Sequence, residues 1–245
     1  MKKALIITLL LGVALYPIHA APIRVLMISG QNNHNWKVTT PVIKKFLEKS
    51  GTINVHVMEN PSQLTQADFN GVDLIVSNWN SYSSKGEVPR KWPETTRNAY
   101  VEFVRNGGGH VGIHAGTSSF YDWKDYRAIG LMTWENGKTT HGAKHRFPLR
   151  IDNARHPVTR GWQPKAIHDE LWRRPLVHPG AIILASSFSA SSDGGSESWE
   201  PCVLVGRFGR GRCFTTSLGH DAQSLSQPDV QQIILRGVLW TAKVR

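Results

Sequence analysis

The chain has 245 residues, 40% of them hydrophobic, and carries 29 basic against 18 acidic side chains for a formal charge of +11. That length suits one large α/β sheet with a sizeable core, and the charge favours anionic surfaces or ligands through its long-range field. The basic residues are nevertheless dispersed, with no arginine-lysine stripe, zinc-finger spacing or paired aromatic RNA-binding motif, which argues against nucleic acid as a partner.

The first twenty residues, MKKALIITLLLGVALYPIHA, combine Lys2 and Lys3, an apolar run from Ala4 to Leu15 and an Ile18/Ala20 pair suited to a signal peptidase. The run falls short of the roughly 20 residues that a membrane span needs. Residues 1–20 are therefore expected to be a signal peptide. Residues 21–245 are expected to form a single soluble domain, secreted and periplasmic, with no stable membrane span and a formal charge of +9 once Lys2 and Lys3 are removed.

PIRVLMISG (Pro22 to Gly30) is an apolar run closed by glycine and reads as a buried strand. From Val38 to Lys49 the apolar positions 38, 42, 43, 46 and 47 recur at helical spacing. TINVHVME (Thr52 to Glu59) alternates as a second strand, and VDLIVSNW (Val72 to Trp79) reads as a third. A helix is expected from Glu94 to Arg105 with Tyr100, Phe103 and Val104 inward, stopped by Gly107, Gly108 and Gly109; HVGIH (His110 to His114) is a fourth strand. Residues 117 to 148 have weak periodicity and look like helices and excursions around a cleft. FPLRID and AIILASS follow as strands, PCVLVGRFGRGRCFTTS as two strands around a turn at Phe208 to Gly211, and a helix from Asp229 to Lys243 closes the chain. This order predicts an α/β fold with a mostly parallel central sheet, helical crossovers and a C-terminal β-hairpin. Pairing Arg207 with Arg212 in the hairpin sets Cys202 and Cys213 about four strand residues apart, roughly 13 Å. A disulfide needs Cα atoms within about 7 Å, so free buried thiols are expected.

In an open parallel sheet, ligands collect beyond the carboxyl ends of the strands. The predicted strand ends place there His34 in SGQNNHNW, Asn78 and Trp79, His114, the adjoining Asp169 and Glu170, and His220 in TTSLGHD, with Asp221 to orient its imidazole. His114 meets a small-residue turn like the elbow that presents a nucleophile in other α/β enzymes. An imidazole there can accept a proton, polarise an oxygen or coordinate a metal; a satisfied core histidine is the plainer alternative. Glu170 can serve as base, acid or ligand, and Asp169 can hold a neighbouring histidine.

His141 and His145, in HGAKH, share one face if their segment is helical. His34, His114, His141, His145 and His220, with the Asp169-Glu170 pair, supply ligands enough for zinc or another transition metal. The same groups also suit a metal-free imidazole and carboxylate site. Trp36, Trp79, Tyr121 and Trp123, with Asp169, are candidates for contact with a carbohydrate, because aromatic rings stack on sugar faces; Trp134 and Trp172 lie in the same loops. NGGGH lacks the spacing and strand-first context of a dinucleotide fingerprint and GRFGRG lacks a phosphate loop's Lys-Ser/Thr ending, so neither NAD nor ATP is expected.

RVLMISG with His34 beyond it, GGGHVGIHAG, HPVTRGW, HDELW, GRGRCFTTSLGH and LRGVLWTA occur in order from Ile23 to Ala242. On these residues the chain resembles the trehalose-utilisation ThuA-like family of the class I glutamine amidotransferase-like superfamily. The resemblance implies a flavodoxin-like three-layer sandwich. It also implies that Gly112-Ile113-His114-Ala115-Gly116 occupies the elbow where amidotransferases of the superfamily carry a catalytic cysteine in G-x-C-x-G, so that thiolate attack and glutaminase chemistry are lost.

The ThuA-like family is associated with disaccharide catabolism, alongside oxidoreductases that make 3-keto sugars. The implied activity is cleavage or isomerisation of an oxidised (3-keto) glycoside. The ketone acidifies the C2 proton, a base such as His114 or Glu170 removes it, and His34, His220 or a metal stabilises the enolate oxygen. Two other readings stay open: a metal-dependent hydrolase of an unoxidised ester, amide or glycoside, and a noncatalytic carbohydrate-binding protein. An ordinary glycosidase wants two separated carboxylates, and the adjacent Asp169 and Glu170 make a poor opposing pair.

Overall fold

In a computed structural model, which describes residues 21–82 and 91–243, eight strands form one mixed sheet. The expected signal peptide at residues 1–20 lies outside the described residues, and no helix among those described is long and apolar enough to cross a membrane. The first four strands are β1 (Ile23–Ile28), β2 (Ile53–Met58), β3 (Leu74–Ser77) and β4 (Gly109–Ile113); α1 (Trp36–Glu48) crosses from β1 to β2 and α2 (Glu94–Arg105) from β3 to β4. The sheet order is β2, β1, β3, β4, then Gly211–Thr216, Ser198–Phe208, Ile182–Ser189 and Arg150–Ile151. Pairings from β2 through Gly211–Thr216 are parallel, in the flavodoxin-like order, and the remaining ones are antiparallel.

Parallel strands covered on both faces read as unbroken apolar runs, and β1 shows why. Val25 and Met27 face a core completed by Ile43, Phe46 and Leu47 of α1 and by Val230, Ile233 and Val238 of the closing helix Pro228–Thr241. Leu26 and Ile28 face the opposite core, with Tyr100, Val101 and Val104 of α2 and Tyr126 and Ile129 of α3 (Lys124–Gly130). The result is an α/β/α sandwich. Val38, the first of the apolar positions at helical spacing, is 46% exposed; α1 begins at Trp36 and buries Thr39, Thr40 and Ile43.

The hairpin forms in the expected register, with Arg207 opposite Arg212 and Gly206 opposite Cys213, and both cysteines are buried and unbridged. The stretch from 117 to 148 holds α3 and half of three short antiparallel ribbons: Met132–Thr133 with Leu176–Val177, Thr140–His141 with Trp172–Arg173, and His145–Phe147 with Ile167–Asp169. HGAKH is therefore not helical. Pairing to Trp172 and Asp169 takes up the backbone groups that a helix would need, and His141 and His145 sit on different ribbons.

One buried imidazole belongs to the core alone. His110 of β4 is fully buried, with Nε2 2.8 Å from the Tyr100 hydroxyl, and burial pushes its pKa down to about 3. The unfolded chain binds a proton here below its ordinary value near 6.5 and the folded chain does not, so this group's contribution to stability is whole above that pH and is lost as pH falls towards 3. At pH 4.5 the loss is about 2–3 kcal/mol. Denaturant unfolding at pH 7.5 and 4.5 should show a steeper acid loss in the wild type than in His110→Gln.

Candidate functional site

The crossover after β1 leads to one side of the sheet and the crossover after β3 to the other, so the loops following these two adjacent strands diverge and open a crevice at their carboxyl ends. His34 stands in the loop after β1. Its Nδ1 lies 3.0 Å from Oδ1 of buried Asn32, an oxygen that also accepts from the His34 amide (2.9 Å) and from the Asn80 side chain (3.2 Å). An oxygen so used is an acceptor, so His34 Nδ1 carries the proton and Nε2 keeps its lone pair.

His114 follows β4 in a left-handed backbone conformation, φ 47°, the kind of strain that costs about 1–3 kcal/mol and gathers at functional sites. The flanking glycines permit it: a Cβ on Gly112 would meet Thr117 Cγ2 at 2.2 Å, and one on Gly116 would meet the Ser77 carbonyl at 2.1 Å. His114 Nδ1 donates to the Ser217 carbonyl at 2.6 Å, while Nε2 is buried without a hydrogen-bond partner among the described residues, 3.4 Å from Glu170 Oε2. His220, beyond Gly211–Thr216, sets Nε2 3.6 Å from Glu170 Oε1 and Nδ1 3.5 Å from Asp221 Oδ2. One ligand atom from each of His34, His114, Glu170 and His220 lies within 4.8 Å of all the others.

Burial and the neighbouring imidazoles push the pKa of His34 down to about 3. For His114 burial opposes the charged form, yet the Glu170 carboxylate 3.4 Å from Nε2 prevails and raises its pKa. For Glu170 burial favours the acid, but the adjacent His114, with the nearby His220 and His141, outweighs it and holds the pKa at about 2. Three imidazoles, those of His34 and His114 held by acceptors behind them, with one ionised carboxylate and an unpartnered buried Nε2 make a donor set that can coordinate a divalent metal.

In front of this cluster opens a cavity of about 390 Å³. His34 and Glu170 form its floor and Trp134, Trp172, Tyr121 and Tyr82 its aromatic walls, with Asn33, Asn80, Ser118 and Asn136 supplying polar groups. His141 also lines it, with Nδ1 2.9 Å from Glu170 Oε1 and 2.9 Å from the Gly142 carbonyl.

Residues 24–241 match the family described as ThuA, trehalose utilisation. The chain belongs to this family. A ThuA-like protein from Parabacteroides merdae is 30% identical, with a TM-score of 0.78 over 90% of each chain. Another, from Bacteroides uniformis, is 15% identical with a TM-score of 0.68, over 92% of this chain and 95% of that one. A β-galactosidase from Rahnella sp. R3 shares the fold at 15% identity and a TM-score of 0.57, over 92% of this chain and 32% of its own. No curated protein matches this chain.

Within this ThuA-family site, His34, His114, Glu170 and His220 meet as the strand-end argument expects. His145 does not join them; its Nδ1 lies 3.0 Å from the Ala143 carbonyl and its ring packs on Phe147. Trp79 and Trp123 are only 3% and 5% exposed, packed with Trp92 and Phe120 in the core, which leaves no ring face for a sugar. Trp36 opens α1 beside Lys37 and is absent from the cavity wall. Tyr121 does line the cavity. Asn33, Asn80, Tyr82, Ser118 and Asn136 escaped sequence reasoning, although the QNN run after β1 and the AGTSS turn after β4 carried a usable signal: polar residues directly after buried strands.

Asp169 is fully buried and works behind the site. Its carboxylate accepts from the amides of Gly219 (2.7 Å), Glu170 (2.8 Å) and His220 (3.3 Å), tying two ligands to one anchor. Asp169→Ala is expected to cost about 1–3 kcal/mol by stranding those amides and to weaken metal affinity about 10–100-fold, read by denaturant unfolding and metal titration.

Proposed function

We propose that this protein is an exported carbohydrate-processing enzyme of the amidotransferase-like superfamily, one domain from Ala21, that cleaves or isomerises an oxidised (3-keto) glycoside with the help of a divalent metal. One observation carries the reading: the unpartnered Nε2 of His114 among His34, Glu170 and His220, behind a cavity with aromatic and amide walls. His34, His114, His220 and Glu170 would hold the metal, zinc or another transition ion, which when bound polarises a ketone oxygen and stabilises developing enolate charge.

Proton movement falls to the pair in front. The Gly142 carbonyl accepts from His141 Nδ1, with Glu170 Oε1 2.9 Å from the same nitrogen, which leaves Nε2 with the lone pair that can take the acidified C2 proton. Glu170, with its pKa near 2, is a weak base and serves better as a metal ligand and as the negative charge beside His141. His114 makes a poor base because it stands behind Glu170 and is not part of the cavity wall.

The test compares product formation from matched 3-keto and unoxidised glycosides, with and without a chelator. Turnover of the oxidised substrate alone, lost on chelation and restored by a divalent metal, is the expected result. Metal-dependent turnover of the unoxidised esters, amides or glycosides would favour the hydrolase reading, and binding without turnover of either would leave a carbohydrate-binding protein.

A further inference from the structure

The HGAKH stretch reaches the site through more than His141. Thr140–His141 pairs with Trp172–Arg173 and His145–Phe147 with Ile167–Asp169, so Gly142, Ala143 and Lys144 carry the chain from one ribbon to the other. Both ends of that crossing are pinned by strand pairing. From it the Lys144 ammonium donates to Asp221 Oδ2, 77 residues away in sequence, and to Gln223 Oε1 at 3.3 Å.

Asp221 stands at a junction. Its Oδ1 accepts from the Ser224 amide at 2.9 Å, capping the short helix Ala222–Leu225, while its Oδ2 meets Lys144 on one side and, at 3.5 Å, His220 Nδ1 on the other. That Nδ1 is buried and has no hydrogen-bond partner among the described residues; Nε2 of the same ring faces Glu170 at 3.6 Å. An imidazole that ligates a metal through one nitrogen almost always gives the proton on the other to a carboxylate, carbonyl or water. Asp221 Oδ2 is the carboxylate oxygen beside Nδ1, and such an oxygen can accept from two donors.

The Lys144 and Asp221 side chains are 23% and 37% exposed, and an ion pair so open to water adds little to stability. Its role is positional. Asp169 already ties the backbone of His220, and the lysine and Asp221 do the same for its ring. We propose that Lys144 is a positioning residue of the metal site: it holds Asp221 Oδ2 against His220 Nδ1 and so fixes the ring whose Nε2 faces Glu170. This rests on the metal-assisted reading above.

Metal affinity tests it, by competition for Zn²⁺ between the purified protein and a chromophoric chelator, with the fold checked by circular dichroism and thermal melting. The sign of the effect decides. Lys144 is a cation beside a cation site, so charge alone would make Lys144→Met bind Zn²⁺ more tightly; the positioning role makes it bind about 10-fold more weakly, the lower end of what a lost outer partner costs. Asp221→Asn, which keeps a capping oxygen, should weaken binding by about 10- to 100-fold. Adding Lys144→Met to it should cost nothing further, because the lysine acts through that carboxylate. Lys144→Arg, which keeps the charge, should restore most of the affinity, and Lys138→Met, which removes an equal charge from an exposed pair with Glu135, should leave it unchanged. Equal or tighter binding by a folded Lys144→Met, or losses that multiply in the double variant, would overturn the role and leave the metal site standing. Where Lys144→Met does not fold, Lys144→Ala is read in its place. No uptake of Zn²⁺ by the wild type would overturn both the role and the metal-assisted reading.

Discussion

Replacing His114 with alanine is expected to leave the protein folded, while metal retention falls by more than about 100-fold, the upper end of what a lost supporting partner costs, and turnover of an oxidised glycoside falls by about 10²–10⁴-fold. The imidazole is fully buried but contributes little cohesion: Nδ1 has one carbonyl partner, and Nε2 has none among the described residues. Removing it takes away a buried polar atom that the folded chain leaves unsatisfied, which offsets part of the packing lost. Glu170 raises the pKa of His114, so a proton competes with metal for Nε2. Metal affinity should weaken as pH falls, and metal uptake at slightly acidic pH should release a proton. Circular dichroism, metal content and turnover measured on the same preparation decide the matter. A folded His114→Ala variant with undiminished metal and turnover would contradict both the site and the reading built on it.

Glu170→Gln should be nearly as damaging to turnover, about 10²–10⁴-fold, by a different route. The substitution keeps the shape beside the Trp172 indole, 3.3 Å away, and removes only the charge. Three consequences follow from that one change. The metal loses its anionic ligand, His141 loses the carboxylate 2.9 Å from its Nδ1, and His114 loses the neighbouring carboxylate that raises its pKa while burial continues to lower it. The His114 titration, followed by NMR in the metal-free protein, should therefore move below the ordinary histidine value near 6.5. An unmoved titration would mean that Glu170 is not the neighbour that sets the charge state of this site. Thermal stability should change little, since the variant is spared the cost of burying a charge.

Much of the architecture was legible in the residues themselves, and particular elements show why. The bounds of α2 at Glu94–Arg105 follow from apolar spacing and the glycines that stop it, and the hairpin register follows from the turn at Phe208 to Gly211. Buried parallel strands announce themselves as apolar runs, so their ends, and with them His34, His114 and His220, could be placed without coordinates. Glu170 was legible only as one of two adjacent carboxylates; the direction each faces separates the ligand from the buried anchor of three amides.

What stayed hidden has a common cause. Local periodicity records that a segment is buried or turns, but not which distant segment buries it. HGAKH has helical spacing, yet its partners come from residues 167–173, and pairing with them carries His141 to Glu170 and leaves His145 outside. Trp79 and Trp123 look like loop aromatics until Trp92 and Phe120 close over them. The amino-acid sequence by itself determined a parallel sheet with imidazoles at its strand ends. Only the tertiary structure decided which imidazoles share a carboxylate and which rings face the cavity, because those choices depend on long-range pairing that no short window of sequence contains.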